Sequence, residues 1–299
     1  MKNNQTLLAA GALLILALIY YFTQTGSVDT KAINAGQFTI DRESIGSVQL
    51  SNSSGTLVLE ASPEGWTLEN YPVDTLKLSG LLDQFTNLTV DRLITKNPDQ
   101  YNKYEVGDQG NTILVLSPDG STLLELNLGK QGANYGETFV RNPADEEVYA
   151  VKANLNSYKS MAAKDLWDRS ITHLDLNQIS NVVFKGEISY SLKREGPAWT
   201  YDSELVDPDK VTNLLRPLEN MKGTGFAAAL PADKSVYESI TLGFGDGSTQ
   251  VLNFYKKDEK GTILLVTMST KTKIFEYSSS SLNRFKKSVT DLISDPPQN

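Results

Sequence analysis

The only histidine of this chain, His173, is the residue best suited to acid–base or metal chemistry, and it lies between Asp168 and Asp175. An imidazole near carboxylates can act as a general base or bind a metal ion, but either role needs further partners at fixed geometry. The 299-residue sequence contains no cysteine, which excludes disulfide bonds and thiolate metal sites. We therefore interpret His173 as an ordinary histidine between two modules and predict neither a metal site nor a catalytic role for it.

Two further groups of residues have types that could bind a ligand. The segment GFGDG at 243–247 has the composition of a phosphate loop, but it precedes a strand rather than a helix, so a β-hairpin turn is predicted. Trp66 and Trp199 recur at equivalent positions and are predicted to pack over a hydrophobic core rather than to stack on a ligand. The sequence lacks the motifs of serine hydrolases, zinc proteases and EF-hands. It therefore predicts no catalytic residue and no cofactor.

Two segments are candidates for contacts with another protein or another module. Trp167, Asp168 and Arg169 follow the last apolar position of a predicted helix, where two modules must meet, so an interface role is expected. Tyr135 lies in the glycine-rich loop 130–136 (KQGANYG), which is predicted to be a long hairpin loop that could contact a partner.

Two copies of one α+β module must position these residues, and the first copy is predicted to span residues 45–170. Strands are indicated by alternating apolar residues between turn signals, and helices by apolar residues spaced three and four apart. The segment 91–111 is predicted to be a polar connection. The predicted strands are hairpins over 45–59 and 112–128 and single strands over 65–67, 137–141 and 147–151. Two helices are predicted, one that begins after Asp74 and one over 155–166.

The second copy, residues 171–299, repeats this series at an offset of about 133 residues near its start and about 127 near its end. Asp207 corresponds to Asp74 as the residue that caps a helix. Pro217 has no counterpart in the first copy and is predicted to kink or end that helix early. The last helices are predicted to align position by position, with Leu282, Phe285, Val289 and Ile293 in the places of Leu155, Tyr158, Ala162 and Leu166.

An uncharged apolar run over residues 7–22 precedes both modules and has the composition of a transmembrane helix. No small-residue cleavage site follows it, so a retained signal anchor over 1–25 is favoured over a cleaved signal peptide, with a tether over 26–44. The predicted fold class is therefore α+β, with one N-terminal transmembrane helix and two tandem homologous modules, each mainly an antiparallel sheet with two helices. The residues predicted to form the anchor include Leu7, Leu13, Leu14, Ile15, Leu18, Tyr20, Tyr21 and Phe22.

The charges next to this run predict its orientation. Lys2 precedes it and no Lys or Arg follows until Lys31, so the N-terminus is predicted to be cytoplasmic and the modules extracytoplasmic. The formal net charge of −8 argues against nucleic acid or anionic lipid headgroups as a main partner, because both require clustered Lys and Arg. We expect a single-pass membrane protein with its N-terminus in the cytoplasm and its bulk outside it.

Four segments of the first module form a recognisable series: LNLGK at 126–130, TFVR at 138–141, VYAV at 148–151 and LWDR at 166–169. In these segments the sequence resembles the bacterial family named domain of unknown function 4340, and with both repeats counted the resemblance covers residues 45–293. The sequence departs from the family at Tyr104-Glu105-Val106, where a YGL triplet is usual, and the second copy lacks the LGK and DR elements. The resemblance implies a single-span envelope protein of the bacterial inner membrane, with its bulk in the periplasm, linked with auxiliary subunits of gliding-motility-type ABC transporters. It supplies no catalytic residue.

These observations predict a binding or scaffold protein rather than an enzyme. A duplicated module multiplies binding surface more readily than it builds an active site. The expected partners are the membrane and other envelope proteins, and the resemblance implies ABC transporter subunits among them. Two alternatives stay open at this point: a periplasmic hydrolase, and a receptor for a small ligand or lipid, each using the cleft between the two modules.

Overall fold

The structure, a computed structural model, describes residues 38–233 and 235–293. The predicted anchor over 7–22 and most of the predicted tether lie outside these residues. Within the two described ranges, no helix has the length and apolar character needed to cross a bilayer. The chain divides into two compact units between Leu166 and Trp167.

Each unit is built on one antiparallel sheet of nine strands. The strands of the first unit are β1 (Ser47–Asn52), β2 (Gly55–Ser62), β3 (Gly65–Leu68), β4 (Tyr71–Pro72), β5 (Val90–Thr95), β6 (Asn111–Leu116), β7 (Thr122–Gln131), β8 (Thr138–Arg141) and β9 (Val148–Val151). Those of the second are β10 (Ile179–Lys185), β11 (Tyr190–Glu195), β12 (Ala198–Tyr201), β13 (Glu204–Val206), β14 (Gly225–Ala227), β15 (Glu238–Phe244), β16 (Thr249–Lys256), β17 (Ile263–Met268) and β18 (Ile274–Ser278).

Short helices accompany the sheets. The longest begins directly after Asp74, and several of the others are single turns. The α-helices are α1 (Thr75–Thr86), α2 (Tyr101–Tyr104), α3 (Ala163–Leu166), α4 (Pro208–Leu215), α5 (Ser279–Leu282) and α6 (Val289–Leu292).

The strand order of the two sheets is the same. The first runs β4-β3-β2-β1-β6-β7-β8-β9-β5 and the second β13-β12-β11-β10-β15-β16-β17-β18-β14, so each strand of the second sheet is the counterpart of the strand nine earlier. The predicted repetition of an antiparallel α+β module is therefore confirmed at the level of topology.

The central strands form because their apolar residues alternate, which places one face of each strand in the core. In the first unit Val48 pairs with Val115 and Leu50 with Ile113, and all four side chains are buried. In the second unit the corresponding pairs are Val182 with Leu242 and Phe184 with Ile240.

Aspartates cap the first helix of each unit, as predicted. The Asp74 carboxylate accepts hydrogen bonds from the backbone N–H groups of the first turn of α1, and Asp207 does the same for α4. The backbone N–H of Asp74 also donates to the carbonyl of Leu166 at 2.8 Å, and that of Asp207 to Leu292 at 2.8 Å. These bonds join the start of the first helix to the end of the last helix in each unit.

Pro217 ends its helix early, as predicted. Helix α4 stops at Leu215, and a 3-10 turn over Arg216–Leu218 contains the proline. The equivalent helix α1, which has no proline, continues through Thr86. The physical reason is that proline lacks an N–H donor and its ring clashes with the preceding turn.

One predicted element is wrong, and two strands are not among the predicted ones. The segment 91–111 is not a plain connection, because its first residues belong to β5 and a helical turn, α2, lies in its middle. The apolar pattern does not indicate β5, because the polar residues Asp91 and Arg92 lie among its apolar ones. The short edge strands β4 and β13, which follow the Trp strands, are the two that the pattern does not predict.

The predicted last helices are each broken into short turns. In the first unit a 3-10 helix over Asn156–Ser160 precedes α3, and in the second another over Asn283–Phe285 separates α5 from α6. The predicted alignment holds at Leu282 and Phe285 but fails at Ile293, which is 40% exposed, whereas Leu292 is 3% exposed and takes the place of Leu166. The second copy is one residue shorter after Phe285, which shifts the register.

Replacing the helix cap Asp207 tests this architecture in the second unit. We expect Asp207→Ala to lower the free energy of unfolding by about 1 kcal/mol, because two N–H groups of α4 lose their acceptor. Urea unfolding followed by circular dichroism measures the change. Glu259→Ala, which removes an exposed carboxylate from a turn, is the control and should stay within about 0.5 kcal/mol of the wild type. Equal effects of the two substitutions would contradict the capping role.

Candidate functional site

A buried arginine at the end of β8 fastens the segment that contains α2 to the sheet. The guanidinium of Arg141, which is 4% exposed, donates to the carbonyls of Val106 at 3.1 Å and Asp145 at 3.1 Å, and it forms an ion pair with Asp108. It also lies 4.4 Å from the centroid of the Tyr101 ring. Because a buried guanidinium needs acceptors for its donors, these contacts make Arg141 a structural anchor rather than a free binding group.

Gly129 on β7 allows the same segment to approach. A Cβ atom at this position would lie 2.3 Å from the carbonyl oxygen of Tyr104 and 2.6 Å from Cγ1 of Val106. No side chain fits at such distances, so only glycine permits this contact. The buried amide of Asn127, two residues earlier, donates to the carbonyl of Val106 at 3.3 Å and completes the attachment.

Glu105 has a backbone conformation that favours glycine. It follows the last residue of α2 with φ 61° and ψ 29°, the left-handed region in which helices commonly end. Its N–H donates to the carbonyl of Asn102 at 3.3 Å, and its carboxylate lies 3.6 Å from the ammonium of Lys159. A side chain in this region costs roughly 1 to 2 kcal/mol.

The loop after β7 presents Tyr135 on a hydrogen-bonded frame. The structure extends β7 to Gln131, so the loop is shorter than the predicted 130–136. The side-chain amide of Gln131 donates to the carbonyl of Tyr135 at 3.2 Å, and the N–H of Gly132 donates to the carbonyl of Glu137 at 3.0 Å. The Tyr135 side chain is 81% exposed. This loop therefore holds an aromatic side chain in solvent.

A bidentate ion pair closes the base of that loop. The guanidinium of Arg92 donates to the two carboxylate oxygens of Glu137 at 3.1 and 3.2 Å, and Asn134 donates to the same carboxylate at 2.7 Å. The hydrogen bonds from Arg92 and Asn134 lower the pKa of Glu137 to about 2. Asp91 extends the network, because hydrogen bonds from Lys152 and Arg92 lower its pKa as well. No local pattern indicates this pair, since its members are 45 positions apart.

Trp167, Asp168 and Arg169 begin the second unit and contact its own residues. The Trp167 ring packs edge-on against Phe226 of β14 at 5.5 Å between centroids. Arg169 donates to the carbonyl of Thr224 at 2.8 Å, and the Asp168 carboxylate accepts from the N–H of Ser170 at 2.9 Å. The structure places these three far along the chain from Tyr135 and in a different unit. Their role at an interface stays a prediction.

His173 forms a single side-chain contact with an amide. Its Nδ1 lies 2.7 Å from Oδ1 of Asn220. Asp168 and Asp175 use their carboxylates to accept from backbone N–H groups two residues later in the chain. Within residues 38–233 and 235–293, no group of three or more acidic or histidine side chains could hold a metal ion.

The segment 243–247 forms the predicted hairpin turn between β15 and β16. Gly247 has a φ of 85° and donates to the carbonyl of Phe244 at 3.0 Å. Trp199 is buried in the core, as predicted, under the guanidinium of Arg194 at 5.9 Å. Trp66 is only half-buried, because its cross-strand neighbour is Ala61, which is too small to cover the ring.

The second unit contains a buried carboxylate that was not predicted as a site. The Glu238 side chain is fully buried and lies 2.8 Å from the ammonium of Lys286, which also contacts Glu187. Burial lowers the pKa of Lys286, but its hydrogen bonds with the two carboxylates outweigh that effect, so the pKa lies above its usual value. The signal was present in the alternation of β15, where Glu238 shares the buried face with Ile240.

One known protein family matches part of both units. The family described as "Domain of unknown function (DUF4340)" matches residues 66–239, from β3 of the first unit to the start of β15 in the second. The chain belongs to this family. The matched stretch is shorter than residues 45–293, over which the sequence was expected to resemble it. No curated protein and no solved structure matches the chain.

Three of the four segments on which the resemblance rests lie on neighbouring strands of the first sheet. LNLGK lies on β7, TFVR on β8 and VYAV on β9, whereas LWDR follows them at the end of α3. Gly129 and Arg141 belong to the first two segments, and both contact the segment around Tyr104-Glu105-Val106. The resemblance implies a glycine at the position of Glu105, and the left-handed backbone of Glu105 is a conformation that favours glycine.

Replacing Glu105 by glycine tests this explanation. We expect Glu105→Gly to raise the free energy of unfolding by about 0.5 to 1 kcal/mol, because the left-handed backbone no longer carries a Cβ. Glu105→Ala is the matched control, since it removes the carboxylate but keeps the Cβ. Urea unfolding should show no gain for alanine. A gain of the same size for both variants would assign the effect to the carboxylate instead.

The pair of Arg92 and Glu137 makes stability depend on pH in acid. The carboxyl pKa of Glu137 is about 2 in the folded protein against an ordinary 4.5, so its contribution is present above about pH 4.5 and is lost as the pH falls towards 2. We expect Glu137→Gln to lose less stability than the wild type between pH 7 and pH 3, measured by urea unfolding. Glu125→Gln, an exposed change on β7, should follow the wild type. Identical pH dependence of Glu137→Gln and the wild type would refute the linkage.

Proposed function

We propose that the protein is a membrane-tethered periplasmic binding or scaffold protein that docks onto an inner-membrane complex, as an accessory subunit of an ABC-type transporter. The apolar run over 7–22 supports the tether, and the resemblance of the sequence to DUF4340 envelope proteins supports the class of partner. The contact with the partner is made through the loop that presents Tyr135.

The observation that carries the proposal is the exposed aromatic side chain on a fastened loop. Tyr135 is 81% exposed. Tyrosine is a residue type that contributes strongly to binding at protein interfaces. The ion pair between Arg92 and Glu137 and the hydrogen bond from Gln131 hold the loop in one conformation before any partner arrives. A preorganised loop loses less conformational entropy on binding, which favours a specific contact.

Purification of the full-length chain from its native bacterium in mild detergent tests the proposal. We expect the ATP-binding and membrane-spanning subunits of a transporter to co-purify in stoichiometric amounts with the wild type. Tyr135→Ala should reduce their recovery at least tenfold, because removal of an interface tyrosine costs about 2 kcal/mol or more.

Leu205→Ala is the matched control, since Leu205 is a large apolar side chain that is 72% exposed and belongs to the second unit. It should leave recovery unchanged. Recovery of the wild-type protein alone would overturn the proposal of a stable complex. Equal recovery with Tyr135→Ala and the wild type would place the contact elsewhere on the protein, and thermal unfolding of the variant excludes a folding defect.

A further inference from the structure

A groove of about 590 Å³ in the second unit carries a concentration of positive charge. It is lined by residues of α4 and of the C-terminal segment 284–292, among them the cations Lys210, Arg284 and Lys287 and one carboxylate, Asp291. The protein as a whole has a net charge of −8, so this cluster runs against the overall charge balance.

Lys210 and Asp291 form hydrogen bonds that stabilise the fold of this unit. The ammonium of Lys210 donates to the carbonyl of Ile293 at 2.8 Å, which ties α4 to the C-terminal segment. The carboxylate of Asp291 accepts from the N–H of Ser288 at 2.8 Å and caps α6. Within residues 38–233 and 235–293, Arg284 and Lys287 form no ion pair, and their charged groups donate no hydrogen bond. The hydrogen bonds from Ser288 lower the pKa of Asp291, and the positive charges of Lys287 and Lys210 add to this effect.

The first unit provides an internal comparison, because its equivalent positions can be assigned from shared hydrogen bonds. Asp165 accepts from the N–H of Ala162 at 3.0 Å, as Asp291 does from Ser288, and Lys77 donates to a carbonyl at the end of α3, as Lys210 does after α6. The structural lysine and aspartate are thus present in both units.

Arg284 and Lys287, the two groove cations that form no ion pair, have no cationic counterpart in the first unit. Ser157 stands in the first unit where Arg284 stands in the second, and Ser160 stands where Lys287 stands. A third position also gains positive charge in the second unit. Arg216, which precedes the groove residue Pro217, takes the place of Asp83 on the first helix. The same fold is built without these charges, so folding does not require them.

We infer that this groove binds a small molecule through a phosphate monoester group. Three cations and one carboxylate leave two positive charges, which match the nearly dianionic charge of a phosphate monoester at neutral pH. The planar guanidinium of Arg284 can donate two parallel hydrogen bonds to phosphate oxygens. The groove volume suits a small ligand, and the apolar lining residues Leu214 and Leu292 can contact its carbon portion.

This inference goes beyond the proposed docking function and does not depend on it, because the groove lies in the second unit and Tyr135 in the first. The phosphate group could belong to a soluble phosphate ester or to the headgroup of phosphatidic acid. The charge argument is the same for both, and the choice between them is an outcome of the experiment.

Calorimetric titration of the full-length protein in a neutral detergent tests the inference. The probes are glycerol 3-phosphate and dihexanoyl phosphatidic acid, with zwitterionic dihexanoyl phosphatidylcholine as the reference. We expect at least one phosphate monoester to bind, with affinity that weakens as salt rises from about 0.05 to 0.5 M. Binding of both probes would indicate the phosphate ester alone as the determinant, and binding of the lipid only would indicate a headgroup site.

The variant Arg284→Ser/Lys287→Ser introduces the residues of the first unit and should weaken binding at least tenfold. Lys185→Ser/Lys260→Ser removes two exposed lysines from the same unit with the same change of net charge, and it should bind as the wild type does. No binding of either phosphate probe up to about 5 mM would overturn the inference. Retention of full affinity in Arg284→Ser/Lys287→Ser, or an equal loss in the control variant, would also overturn it.

Discussion

Each nine-stranded sheet depends on one pairing between strands that are distant in sequence. In the first unit β1 pairs with β6, and in the second β10 pairs with β15. The strands on either side, from β1 back to β4 and from β6 on to β9, pair with their sequence neighbours and could form as local meanders. The central pairing joins the two meanders into one sheet, and its buried pairs of apolar residues, such as Val48 with Val115, supply the reason for it. Helix α1 and strand β5 lie between the two halves in sequence, so β5 must return to the far edge to pair with β9.

The duplication separates what the fold requires from what each unit has added. The capping aspartate, the first-turn lysine and the backbone bond from the cap to the end of the last helix occur in both units. The Arg141 anchor occurs in the first unit, and the buried pair of Glu238 with Lys286 occurs in the second. A buried carboxylate with one cation contributes little net stability once its desolvation is counted. Arg141 positions the segment that contains α2, whereas net stability alone does not explain the pair of Glu238 with Lys286.

The sequence was sufficient for features that depend on local chemistry. The alternation of apolar residues predicted the central strands, the aspartates predicted the helix starts, and Pro217 predicted an early helix end. It was insufficient where contacts between distant residues decide the structure. Strand β5 carries polar residues because Arg92 pairs with Glu137, and no local pattern indicates that partner. The predicted alignment of the last helices was wrong for a similar reason. The one-residue deletion between the two copies can be placed correctly only when the hydrogen bonds of Asp165 and Asp291 are known.

Composition also concealed the distribution of charge. A net charge of −8 argued against anionic partners, yet the electrostatic potential at a groove is set by charges within about one Debye length, roughly 8 Å at physiological salt. Lys210, Arg284 and Lys287 lie on one groove, while the acidic residues that determine the total are spread over both units. In sequence, Lys210 is separated from the other two by an entire half of the second sheet, so no window along the chain shows the cluster. The comparison of equivalent positions in two copies of one fold reveals the cluster, because Ser157 and Ser160 of the first unit take the places of Arg284 and Lys287.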